Sequence, residues 1–109
     1  MTEQRKYSLF FLIAINAVIA SACHSFTTPH ENFKKHMQFN VGRRVDDPAS
    51  SLARYPEWVV DEKKLTNGNS EIEYYRGKHC AVYFEVDNKT EVIIGWRFVG
   101  SEKSCVIVP

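Results

Sequence analysis

The sequence predicts an α+β fold: one or two N-terminal helices packed on an antiparallel β-meander of three to four strands, with one disulfide. Three observations carry that expectation. Phe33, Met37 and Val41 recur at every fourth residue, the spacing of one helix face. In residues 80–87 and 91–99 every second side chain, from Cys80 to Val86 and from Val92 to Phe98, is apolar, the period of a strand with one buried face. Cys80 and Cys105 stand near the two ends of that strand-forming region, where a returning chain can join them.

The first helix opens at Thr28-Pro29-His30-Glu31. Thr28 can cap, Pro29 suits the first helical position because its missing N–H has no partner there, and Glu31 sits where a capping box needs it. Gly42 is the expected stop. Asp47-Pro48 is expected to start a second, short helix running to about Tyr55, with Leu52 and Tyr55 on its buried side and Pro56 ending it.

Strands follow from Trp58 onward. Residues 58–65 are the weakest of them, because 61–64 is a run of charges. Asn67-Gly68 reads as a two-residue hairpin turn, since both residue types tolerate positive φ. Residues 70–75 form the next strand and Arg76-Gly77-Lys78 the next turn. Residues 105–108 can add a short last strand. The central hairpin is expected to pair Asp87 with Glu91, hence Val86 with Val92, Phe84 with Ile94, Val82 with Trp96 and Cys80 with Phe98. Every pair on that face is then apolar, as a buried face requires. The other face sets Tyr83 over the bare backbone of Gly95. The like charges of Asp87 and Glu91 imply a bulge near the turn. In this register Cys80 faces inward at the open end, and a turn through Ser101–Ser104 brings Cys105 back to it. Closing a loop of about 25 residues stabilises the fold by about 3.5 kcal/mol in the chain-entropy treatment. No C-x-x-C occurs to suggest a redox or metal thiol pair instead.

The N-terminus reads as an address. Arg5 and Lys6 precede an apolar run of roughly 14 residues that ends Ala20-Ser21-Ala22-Cys23, too short for a spanning helix. A basic start, an apolar core and small residues before a cut site make a secretory signal over residues 1–22. The segment resembles a bacterial lipoprotein signal, with Ala20 where Leu is commoner, and the resemblance implies that Cys23 carries lipid. It also fits plain A-x-A cleavage, which would give a soluble periplasmic or secreted protein. Lipidation of Cys23 leaves an even pair, Cys80 and Cys105. His24, rather than Asp, follows Cys23, which in that family implies the outer membrane. The expected organisation is a signal at 1–22, a tether at 23–27 and a single domain at 28–109.

Composition excludes several function classes. Lys and Arg number 14 and Asp and Glu 13, and removal of the signal leaves twelve of each. A nucleic-acid backbone binder needs a basic surplus. Lys34-Lys35 and Arg43-Arg44 are too few for that, though they suit anionic headgroups near an anchor. His30 and His36 are six apart on the first helix and share no face, and nothing places His24 or His79 together, so no metal is expected. No nucleophile elbow or phosphate loop occurs, so neither catalysis nor a cofactor is expected. What remains is a surface. Trp58, Tyr75, Tyr83 and Arg97 are residue types favoured at binding hot spots.

The order of helices, hairpin meander and closing cysteine resembles the BamE/SmpA/OmlA-like group of small Gram-negative lipoproteins. The resemblance rests on Asn67-Gly68 leading into Glu73-Tyr74-Tyr75, on Cys80 through Phe84-Glu85-Val86-Asp87, and on Ile94-Gly95-Trp96-Arg97 with Cys105. It covers about residues 33–105. The Gly-Met-Thr helix entry of the assembly-machine members is absent, so the resemblance implies a fold and a scaffold or binding role. The expected partners are a membrane, through the lipid anchor, and another envelope protein. A module for a small ligand, or one inhibiting a hydrolase, is the alternative, and a concave aromatic pocket would favour it.

Overall fold

The computed structural model describes residues 27–108. The signal, Cys23, His24 and the tether up to residue 26 lie outside the described residues. Helix α1 (Pro29–Gln38) begins as its sequence dictates, with Thr28 Oγ1 accepting from the Glu31 backbone N–H at 3.1 Å. Phe33 and Met37 are buried. The helix ends at Gln38, a turn before Gly42, so Val41 lies beyond it and is only half-buried. The cause is Asn40, whose side chain is buried and fully used. Its Nδ2 donates to the His36 carbonyl at 3.1 Å and to Ser51 Oγ at 3.0 Å, and its Oδ1 accepts from Ser51 N at 2.7 Å. An amide left unpaired there would be costly, so these bonds fix the approach of the two helical segments.

Helix α2 (Ser51–Arg54) is one turn long and is capped by Ser50, which accepts from Ala53 N at 3.1 Å. It starts later than Asp47-Pro48 suggests, because Asp47 makes a local turn instead, accepting from Ala49 N at 2.8 Å. Leu52 is buried, but Tyr55 is exposed, against expectation. A 3₁₀ turn (Pro56–Trp58) redirects the chain and stacks the Tyr55 ring on Trp58, centroids 4.5 Å apart.

Four strands then make an antiparallel meander in the order β1 (Val59–Lys64), β2 (Ser70–Gly77), β3 (Cys80–Val86) and β4 (Ile93–Gly100). The β1–β2 connection is a three-residue turn rather than a two-residue one. Gly68 N donates to the Leu65 carbonyl at 3.0 Å, Leu65 N to the Asn69 carbonyl at 2.8 Å, and only Gly68 (φ 89°) takes the left-handed conformation. Strand β2 runs on to Gly77, so Arg76 belongs to the strand and Lys78-His79 make the turn.

The β3–β4 register is Phe84 with Trp96, Val82 with Phe98 and Cys80 with Gly100, two residues from expectation. The connecting loop is the reason. Glu91 adopts φ 60°, and a bulge beside Val86 makes Ile93 its partner, leaving Ile94 exposed and Ile93 buried. Tyr83 therefore opposes Arg97, and Glu85 opposes Gly95. Asp87 and Glu91 do not repel. Asp87 Oδ2 accepts from Lys89 N at 3.1 Å and Thr90 N at 2.7 Å, while Glu91 pairs with Arg44 at 3.2 Å. The bonds from Thr90 and Lys89 hold the Asp87 carboxyl below the usual range.

One sheet face carries the core. Tyr74, Val82, Phe84, Val86 and Ile93 pack there against Phe33, Met37 and Leu52. The Cys80–Cys105 disulfide forms at one end, with Cα atoms 5.2 Å apart and both residues buried. Residues 105–108 are not a strand. The bridge delivers them to α1 instead, where Ile107 N donates to the Pro29 carbonyl at 3.0 Å and Asn32 Nδ2 to the Ile107 carbonyl at 3.1 Å.

Candidate functional site

The helices do not cover the whole sheet face. Beside them lies a half-open groove of about 680 Å³, within the range of small-ligand and peptide sites. Each wall follows from a local pattern. On α1 and its C-cap, Asn32, Lys35, His36 and Phe39 recur at three- and four-residue spacing, a stripe flanking the buried Phe33–Met37 face. On β2, Tyr74 faces the helix side, and Arg76, in the bulge between Tyr75 and Gly77, joins it in the lining. The 3₁₀ turn presents the Tyr55–Trp58 stack, and Ile107 closes the far end.

The lining combines aromatic rings with cations. Trp58 leans on Tyr74, centroids 5.9 Å apart, and the Arg76 guanidinium carbon sits 5.6 Å from the Trp58 ring. Lys35, Arg54 and Arg76 enter from three different elements, and no acidic side chain lines the groove. Three acids pair with cations away from the groove: Asp47 with Arg43 at 3.4 Å, Asp46 with Arg44 at 2.9 Å, Glu71 with Arg97 at 3.1 Å. The hydrogen bond from Arg44 holds the exposed Asp46 carboxyl low. Glu57 is the acid adjoining the groove, one residue before Trp58, and its side chain is exposed.

Arg76 is incompletely satisfied within the fold. Its Nη2 donates to the Val106 carbonyl at 3.4 Å, a long bond. Its Nε is, among the described residues, the one buried side-chain polar atom without a hydrogen-bond partner. An unpaired buried N–H of a cation is costly unless a ligand satisfies it. Burial pushes the neighbouring Tyr74 hydroxyl up to about 12, so it stays a neutral donor at ordinary pH.

The expected partner surface divides between two faces. Trp58 belongs to the groove, whereas Tyr75, Tyr83 and Arg97 lie on the opposite side of the sheet. There Arg97 binds Glu71 at 3.1 and 3.3 Å and covers the Tyr83 ring at 4.0 Å, so both residues already have partners within the fold. Tyr75 is exposed. Arg76, Tyr74 and Tyr55 are groove residues that sequence reasoning missed. No sequence signal places Arg76, because it joins the lining from a bulge that is visible only once β2 is carried through to Gly77.

The histidines are dispersed. His30 Nδ1 lies 2.8 Å from the Cys105 carbonyl, His36 Nδ1 lies 2.8 Å from the Asn32 carbonyl, and His79 is exposed. Ser51 and His36 both line the groove, but the Ser51 hydroxyl accepts from Asn40. No protein-family model matches this chain, and no curated protein or solved structure is similar enough to it to suggest what the groove holds.

Proposed function

We propose that this chain is an exported, lipid-anchored binding module of the bacterial envelope, non-catalytic, whose docking surface is the groove between α1, the 3₁₀ turn and β2. The single observation that carries the reading is the convergence of Lys35, Arg54 and Arg76 with the Tyr55–Trp58 stack around one apolar-floored groove. Aromatic and Arg side chains in a recess are the residue types that dominate binding energy. The signal-like N-terminus and Cys23 supply the address. If Cys23 bears lipid, six residue-to-residue steps separate it from Pro29, which extended chain spans in at most about 21 Å. The domain then works close to the membrane surface, and its partner is another envelope protein.

A photo-crosslinking residue placed at Tyr55 in intact cells should trap a specific protein, while one at Tyr75, on the opposite face, should not. Adducts from Tyr75 with none from Tyr55 would move the docking surface to the other face, and adducts from neither would refute the interaction reading. The groove's volume and aromatic lining also favour the small-ligand alternative. Tyr55-dependent retention of a small molecule through purification, with no protein adduct, would select it.

A further inference from the structure

Resting on that reading, we infer that the groove recognises an acidic peptide segment: Arg76 takes a carboxylate, Lys35 and Arg54 flank it, and a neighbouring apolar side chain stacks on Trp58.

Charge complementarity commits the groove to this occupant. Lys35, Arg54 and Arg76 line it from three elements, and none of the side chains lining it is acidic. A ligand that supplies negative charge complements this lining. The guanidinium is planar, and its N–H groups match a carboxylate two at a time. The Arg76 Nε has no partner in the fold and Nη2 is held only by a 3.4 Å bond, so neither donor is committed to the protein before a ligand arrives. Most of the lining is nonetheless apolar, with Met37, Tyr55, Trp58 and Ile107 among it. An isolated phosphate or headgroup would leave that surface wet. A peptide alternating carboxylates with aromatic or aliphatic side chains uses both parts of the groove. The half-open shape admits a chain that enters and leaves, as an internal segment of a protein partner must.

The test uses the full-length, detergent-solubilised protein and two pools of fluorescein-labelled hexapeptides. One pool alternates Asp or Glu with Phe or Leu; the other carries Asn or Gln in place of each acid. Anisotropy should show the acidic pool binding at least about tenfold more tightly than the amide pool, with affinity falling as salt rises. Arg76→Gln should weaken binding by about tenfold or more, and Arg76→Lys should recover only part of it, because the charge returns without the fork. Arg54→Gln alters an exposed side chain, so a folding defect cannot account for its loss of affinity. Arg97→Gln, on the far face, should change nothing. Equal binding of the two pools, no binding of either, or an unchanged Arg76→Gln variant would overturn the inference. Displacement of bound peptide by glycerol phosphate at matching concentration would overturn it in favour of a phosphate ligand. If Tyr55 crosslinks a protein in cells while the acidic pool fails, the anion preference is wrong and the docking surface stands. If the acidic pool binds but Tyr55 traps nothing, the ligand chemistry stands and the envelope-partner reading falls.

Discussion

Arg97 on β4 reaches across the Tyr83 ring of β3, 4.0 Å beneath its guanidinium carbon, to bind Glu71 on β2 through Nε at 3.3 Å and Nη2 at 3.1 Å. One side chain thus ties three strands on the face away from the helices. Lys63 adds a second cation to Glu71 at 3.7 Å from β1. Arg97 is half exposed, so the pair is screened by water and its worth is modest. Arg97→Ala is expected to lower stability by about 1 kcal/mol, from the ion pair and the ring contact together. Chemical denaturation measures this, and groove binding should stay as it was.

The disulfide supports a second prediction. It fastens residues 105–108 beside α1, and Val106 and Ile107 meet the groove there. Cys105→Ser is expected to lose about 3.5 kcal/mol of stability, and to weaken groove binding because one wall is released. In the intact protein the thiols of Cys80 and Cys105 should resist alkylation until a reductant is added. Ready alkylation of the native, oxidised protein would contradict the bridge.

Gly100 permits that bridge. It adopts φ 147°, and a Cβ there would run into the His79 carbonyl and lie 3.0 Å from Cys105 Sγ. Gly100→Ala is expected to destabilise by about 2–4 kcal/mol. The obstacles are backbone and a fixed sulfur, and neither can swing aside. Thermal melting measures the loss, and the variant's thiols should alkylate faster under mild reduction.

Tyr74 sets an alkaline limit. Burial raises its hydroxyl from 10 to about 12, so the folded state disfavours the phenolate. Since the folded value lies above the unfolded one, this contribution is complete below pH 10. It falls away between pH 10 and about 12, by up to roughly 3 kcal/mol. A urea series across that range should show a decline that Tyr74→Phe removes.

Cys23 gives the last prediction. Cys23→Ser should abolish metabolic acyl labelling and release the protein from membranes. Unchanged fractionation would refute the anchor.

The fold was readable where periodicity is strict. Phe33 and Met37 mark α1, and the alternation from Cys80 to Val86 marks the core face of β3, because one buried face enforces each pattern. The β4 register was not readable, since it depends on Glu91 taking φ 60° and on a bulge beside Val86, both set by hydrogen bonds across the loop. Ile93 and Ile94 are chemically the same, and only that local geometry decides which is buried. The groove was less legible still. Trp58 could be named from residue type alone, but Arg76 looks like a turn residue beside Gly77, and Tyr55 like the buried side of a helix that Asn40 and Pro56 keep to a single turn. Its cations come from three separate stretches of chain, and only their packing makes one site.

The two sheet edges bear on crowding. At high local concentration a bare strand edge invites pairing with a neighbouring copy. On β1 that edge is the exposed, charged run Asp61-Glu62-Lys63-Lys64. On β4 the start is already occupied: Gly42 N donates to the Ile93 carbonyl, Ile93 N to the Arg43 carbonyl, and Val45 N to the Glu91 carbonyl, at 2.8, 2.8 and 3.0 Å. Charge guards one side and the chain's own strap the start of the other, so copies of this chain at high concentration are biased toward separate molecules, each with its groove free.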